Sequence, residues 1–167
     1  MSVRDDLLTE FREELKTTRR VLERIPANKL TWKPHEKSWL LGQLGMHIAL
    51  VPGAIAGITA PDSFDVLKGS FTPPTPKSCD EIHEAMNQSA ATVEHTLRTT
   101  SDEAAYAHWR LKRGDELIFA IPRVVAWRSL MLNHWYHHRG QLSVFLRIAG
   151  VPVPSIYGPS LDENPFG

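Results

Sequence analysis

The chain has 167 residues, 42% hydrophobic and 23% charged, enough for a single domain over residues 1–167 that buries its own core. Its 19 Lys and Arg balance 19 Asp and Glu, so the formal net charge is zero and no basic excess of the kind that binds nucleic acid is present. A single cysteine, Cys79, excludes an intramolecular disulfide, and the residues from Met1 to Asp6 lack the apolar core of a signal peptide, so the expected location is the cytoplasm.

The first helical period covers residues 3–25. Leu7, Phe11, Leu15, Leu22 and Ile25 share one stripe, mixed charges fill the rest, and Pro26 ends the run. After a link carrying Trp32, Pro34 and His35, Ser38 reads as the N-cap of a second helix. Leu40, Leu44, His47 and Val51 share a face of that helix, and Pro52 is expected to kink it. The apolar run from Leu40 to Ala60 is interrupted by Gln43, His47, Pro52 and glycines, which marks a buried helix and no membrane span.

Residues 60–77, with Pro61, Pro73, Pro74, Pro76 and Gly69, read as a loop. Ser78 and Glu81 form a capping box for a third helix, whose inward stripe is Ile82, Met86, Ala90, Val93 and Leu97. Residues 106–111 and 116–121 flank Lys112-Arg113-Gly114-Asp115 and spell a short β-hairpin. Pro122 then opens a fourth helix that runs to Ile148, with Trp127, Met131, His134, His138, Leu142 and Phe145 facing inward, and Gly150 and Pro152 stop it. The predicted fold class is all-α, a four-helix bundle with one short hairpin between helices three and four.

His134 and His138 stand one helical turn apart and project the same way, while His47 lies on the apolar face of another helix. Three imidazoles turned into a core need partners for their nitrogens, and a metal ion satisfies one nitrogen of each. His47, His134 and His138 are therefore the candidate metal ligands; three protein ligands with an open position are the pattern of a catalytic centre. Nitrogen ligands tolerate Zn²⁺, Ni²⁺, Fe²⁺ or Mn²⁺. Gln43, Asn133, Tyr136 and Gln141 are candidates to hydrogen-bond the ligands. His137 points about 100° away from His138 around the helix, and His35, His83, His95 and His108 lie in polar or loop contexts. Cys79 sits where a helix dipole favours a thiolate. The five tryptophans read as core or boundary packing. No catalytic residue beyond the ligands is assigned.

The segment from Ile25 to Pro34, Leu44-Gly45-Met46-His47, the run from His134 to Leu142 with its Arg139-Gly140-Gln141, and the tail from Pro154 to Glu163 together resemble the DinB family, over nearly the whole chain. The resemblance implies a four-helix bundle of up-down-down-up topology, a metal held by His47, His134 and His138, a homodimer, and a low-molecular-weight thiol as cosubstrate. Two functions follow as expectations: a metal-dependent enzyme of thiol S-transfer or hydrolysis acting on a small molecule, or a non-catalytic metal-binding, stress-related interaction module. Gly140 is expected to allow close helix packing.

Overall fold

Helix α1 (Val3–Leu22) begins where the Ser2 hydroxyl accepts from the Asp5 amide and the Asp5 carboxylate accepts from the Ser2 amide, so each end of the turn satisfies the other. The computed structural model describes residues 2–166. It is mostly helical, with a small three-stranded sheet, so the all-α expectation is corrected by that sheet. Leu7, Phe11 and Leu22 are buried as the stripe predicts. The helix stops three residues early, however, and Ile25 packs from the turn that follows.

Helix α2 (Leu41–Thr59) starts two residues beyond the expected Ser38 cap: the Gln43 carboxamide reaches back to accept from the Leu40 amide. Gln43 is thereby spent on the helix end. Helix α2 is long and apolar enough to cross a membrane, with a mean hydropathy of 1.5, yet 61% of that window is buried inside the molecule, as for a core helix. It packs against α3 (Cys79–Thr99) and α6 (His134–Ile148). Contact with α3 is close enough to require glycine: a Cβ on Gly53 would lie 2.7 Å from Ser89 Cα, and the Gly53 amide donates to Ser89 Oγ at 2.7 Å.

Pro52 sits inside α2, and the helix continues through it. Proline has no amide to give the carbonyl of Ile48, four residues back. The indole of the fully buried Trp135 takes that carbonyl instead, at 2.9 Å. Two other buried indoles also donate to α2, Trp109 to the Ile58 carbonyl at 3.0 Å and Trp127 to Thr59 Oγ1 at 2.9 Å.

The loop expected over residues 60–77 contains structure the sequence did not announce. Strand β1 (Ser63–Asp65) runs parallel to β2 (His108–Arg113), pairing Ser63 with Arg110 and Asp65 with Lys112. Strands β2 and β3 (Glu116–Pro122) form the predicted hairpin. Its two-residue loop needs a positive φ at the first position, which Gly114 supplies at 58°. Asp65 ties the loop down by accepting from the Gly114 amide at 3.1 Å and the Leu67 amide at 3.0 Å; these two bonds hold its carboxyl below the ordinary range. A short helix α4 (Asp102–Tyr106), capped by Ser101, precedes the hairpin and was not expected.

The capping box of α3 forms, with one change of partner: Ser78 accepts from the Glu81 amide, while the Glu81 carboxylate takes the Lys77 amide at 2.9 Å. All five residues of the predicted α3 stripe are buried.

The last helical run spans residues 123–148 but is not uniform. Helix α5 (Arg123–Ala126) leads into a π-helical stretch, Trp127–Asn133, and α6 follows. A π turn takes up one extra residue. Beyond it, Leu142 is buried as expected, but three other positions of the buried line are displaced by one. Trp135, Arg139 and Leu146 are buried where His134, His138 and Phe145 were expected, and those three are half-buried at the edge.

The indole of Trp135 substitutes for a missing backbone donor, so Trp135→Phe should lower the unfolding free energy by about 1–3 kcal/mol, the cost of stranding a buried carbonyl. In a Pro52→Ala background the helix regains its own donor, and the same substitution should cost measurably less. Denaturant titration of the four chains reads this; an equal cost in both backgrounds would remove the substitution from the account.

Candidate metal centre

Helix α2 carries His47, and α6 opens with His134 and carries His138 one turn later. The three rings converge. Nε2 of His134 lies 3.4 Å from Nε2 of His47 and 2.8 Å from Nε2 of His138, and one ligating nitrogen from each ring lies within 4.8 Å of the others. The structure thus brings together the three residues that the helical faces predict, at the boundary of the core and not deep within it.

The far edge of the His138 ring is held by a neighbour. Nδ1 of His138 lies 2.7 Å from the Gln141 carboxamide oxygen, which accepts its proton. The His134 ring is hydrogen-bonded to the backbone of Leu130. Neutral rings whose Nδ1 protons are engaged present lone pairs at Nε2. Nε2 atoms 2.8 Å and 3.4 Å apart are an arrangement that a cation stabilises. Nitrogens bound at about 2.0–2.1 Å around a tetrahedral ion stand about 3.3 Å apart. The 3.4 Å separation fits that spacing, and the 2.8 Å pair is tighter than it.

Burial is the largest cause depressing all three histidines. It pushes His47 down to about 4, with repulsion from His138 and His134 adding to the effect. For His134, burial outweighs the Leu130 hydrogen bond; for His138, it outweighs the bond to Gln141. All three rings are therefore harder to protonate than a free imidazole, which favours the neutral form that binds a metal.

Of the residues expected to support the ligands, only Gln141 does so. Asn133 is exposed, and the Tyr136 hydroxyl donates to Glu10 at 2.9 Å on another side of the helix. His137 is exposed, its ring 5.0 Å from that of His138 and outside the cluster. His35, His83, His95 and His108 lie apart from it. The Cys79 thiol donates to the Ile25 carbonyl at 3.3 Å, and burial raises its pKa, so the expected thiolate is not favoured.

Arg139 faces away from the histidines. Fully buried, it pairs with Glu14 at 2.6 Å, donates to Thr18 Oγ1 at 3.1 Å and to the Tyr157 hydroxyl, and lies against the rings of Tyr136 and Tyr157. It joins α1, α6 and the C-terminal tail. A Cβ on Gly140 would meet nothing within 4 Å, so the expected close packing there does not occur.

The sequence reading missed Trp39. Its ring stacks beside His138, 5.7 Å away at 26°, and meets His47 edge-on at 4.7 Å. A cavity of about 670 Å³ opens on the cluster, lined by His47, His134, His138, Trp39, apolar residues of α2 and residues 69–74. The loop between α2 and α3 therefore walls the site, whereas the tail packs elsewhere, against Arg139, Arg20 and Arg147. Nothing local in the sequence marks Trp39 or residues 69–74 as neighbours of the histidines.

A sequence profile of the DinB family matches residues 1–165, and the chain belongs to that family. It is similar to an uncharacterized protein, YrdA, of Bacillus subtilis, 26% identical over 163 residues that cover 95% of this chain and 90% of that one. Among solved structures, a DinB-like protein from Bacillus cereus superposes with a TM-score of 0.72 at 22% identity, covering 92% of this chain and 97% of that chain. The DinB-like YjoA of Bacillus subtilis superposes with a TM-score of 0.67 at 17% identity, covering 87% and 92%. At these identities the likeness of the structures concerns the fold alone.

Two outcomes follow. In the metal-free chain, His47 titrates near 4 folded and near 6.5 unfolded. Between those values the unfolded chain binds the proton more readily, so stability should be constant above about pH 6.5 and fall as the pH drops toward 4. Urea midpoints in chelator should show this decline, and His47→Gln should lessen it while His134 and His138 keep their share. Separately, Arg139→Met strands Glu14 and should cost about 3 kcal/mol. Arg139→Lys should recover little of that, because an ammonium cannot reproduce the fork of donors; full recovery would refute the bridging role.

Proposed function

We propose that the protein is a metal-dependent enzyme whose divalent ion is held by His47, His134 and His138. The observation that carries the proposal is the convergence of three Nε2 atoms at the mouth of an apolar cavity. A sealed cluster would suit a structural or storage role; a cluster beside a cavity of about 670 Å³ has room for a small substrate. Zn²⁺, Ni²⁺, Fe²⁺ and Mn²⁺ all suit these ligands.

Three neutral imidazoles leave a bound ion its full charge, which lowers the pKa of a coordinated water or thiol and makes it a nucleophile near neutral pH. The protein's own groups do the rest. Gln141 fixes the His138 ring by holding its Nδ1 proton. Trp39 walls the cluster on one side, and the aliphatic side chains of α2 exclude water from the reacting centre. No Asp or Glu lines the cavities beside the cluster among the described residues, so no carboxylate general base is assigned. The reaction class is S-transfer from a low-molecular-weight thiol to an electrophile, or hydrolysis. The reading includes a cytoplasmic location, a homodimer, and an up-down-down-up bundle of α1, α2, α3 and residues 123–148.

Elemental mass spectrometry of the chain purified without chelators should find about one metal per chain, and none in His134→Ala with His138→Ala. Metal retained stoichiometrically by that double variant would sink the assignment.

A further inference from the structure

A second cavity, of about 340 Å³, adjoins the first and is lined by Lys37, Ser38, Trp39, Leu44, His138, Gln141 and Phe145. The two cavities share only Trp39 and His138. Their other walls lie on opposite sides of the histidine layer. Leu44 precedes His47 on α2, and Gln141 and Phe145 follow His138 on α6, which places the smaller cavity toward one end of the helix pair. Val51, Ala54 and Ile58 follow His47, which places the larger cavity toward the other.

The chemistry of the two compartments differs. Apart from the histidines, the larger one is bounded by aliphatic and aromatic side chains, prolines and small residues of the loop. The polar residues Lys37, Ser38 and Gln141 are among those that bound the smaller one. Lys37 is the one Lys or Arg lining either cavity. Its backbone amide is held by His35 Nδ1 at 3.1 Å, which fixes this exposed residue at the rim of the smaller cavity.

We propose that the site takes a two-part amphipathic ligand: an apolar body in the larger cavity and an anionic group, such as a carboxylate or sulfonate, against Lys37 in the smaller one. The proposal rests on the same site as the enzymatic reading and names the substrate class it accepts. Trp39 is the partition between the compartments and a specificity-determining residue. Its ring, packed against His138 and His47, makes the ligand pass beside the histidine cluster. The apolar body supplies affinity through the surface it removes from water, and Lys37 sets which end enters the smaller compartment.

Fluorescence titration with two probes tests this on the full chain: anilinonaphthalenesulfonate, and N-phenylnaphthylamine, which carries the same rings without the anion. The sulfonate probe should bind roughly fivefold more tightly, the upper end for one partly exposed ion pair. Lys37→Met should erase that advantage and leave the uncharged probe unchanged. Ala54→Trp fills the larger cavity from an exposed position, so folding is not at stake, and it should weaken both probes about tenfold. Equal affinity for the two probes, no effect of Lys37→Met, or undiminished binding by Ala54→Trp would each overturn the proposal. Running the series both with Zn²⁺ and in chelator separates the outcomes: a chain that binds no metal defeats the enzymatic reading, while the probe differences still decide the two-part site.

Discussion

One hydrogen bond organises the centre of this molecule. Pro52 leaves the Ile48 carbonyl without its helical donor, and the Trp135 indole supplies one from α6. Ile48 follows His47 in the chain, and Trp135 follows His134. The bond that repairs α2 therefore also sets the register of α2 against α6 one residue from the histidine cluster. A slip of either helix would cost that bond and part the three Nε2 atoms together.

The π-helical stretch Trp127–Asn133 acts on the same register. The apolar stripe read as an uninterrupted α-helix points His134 and His138 into the core. After the wider turn, the large indole and the guanidinium go inward to fixed partners, and the imidazoles are left half-buried between core and cavity. That intermediate burial serves ligands well. It is deep enough to disfavour protonation of the rings and leaves them open to the cavity. The polar side of the same helix is settled by Arg139, whose contacts with Glu14, Thr18 and Tyr157 bring α1 and the tail to it. Arg139 and Gln141, two residues apart, thus have separate tasks: one ties α1, α6 and the tail together, the other holds the His138 ring.

Much of the helical framework was legible because its signals are local. The α3 stripe, the Ser78 cap, the Gly114 turn and the start of the last helix rest on periodicity and turn chemistry within a few residues. Strand β1 was not legible, because Ser63, Phe64 and Asp65 have no alternating pattern of their own and exist as a strand only by pairing with β2. The early end of α1, the later start of α2 and the short α4 are boundary matters, where backbone competition is close and neighbours decide.

For the site, the i,i+4 spacing of His134 and His138 determined by itself that two imidazoles share one side of a helix, and the apolar period of α2 put His47 on a face turned toward a partner. Helical geometry requires no more than the chain's own order to place them. The single cysteine by itself excludes an intramolecular disulfide. Only the tertiary structure decided that the three rings meet, that Gln141 and not Gln43 holds one of them, that Trp39 stands between two cavities, and that residues 69–74 wall one of them. These are contacts between segments far apart in sequence, set by how α2 and α6 are locked together, and a linear pattern carries no record of a packing register that a π turn and a borrowed indole hydrogen bond create.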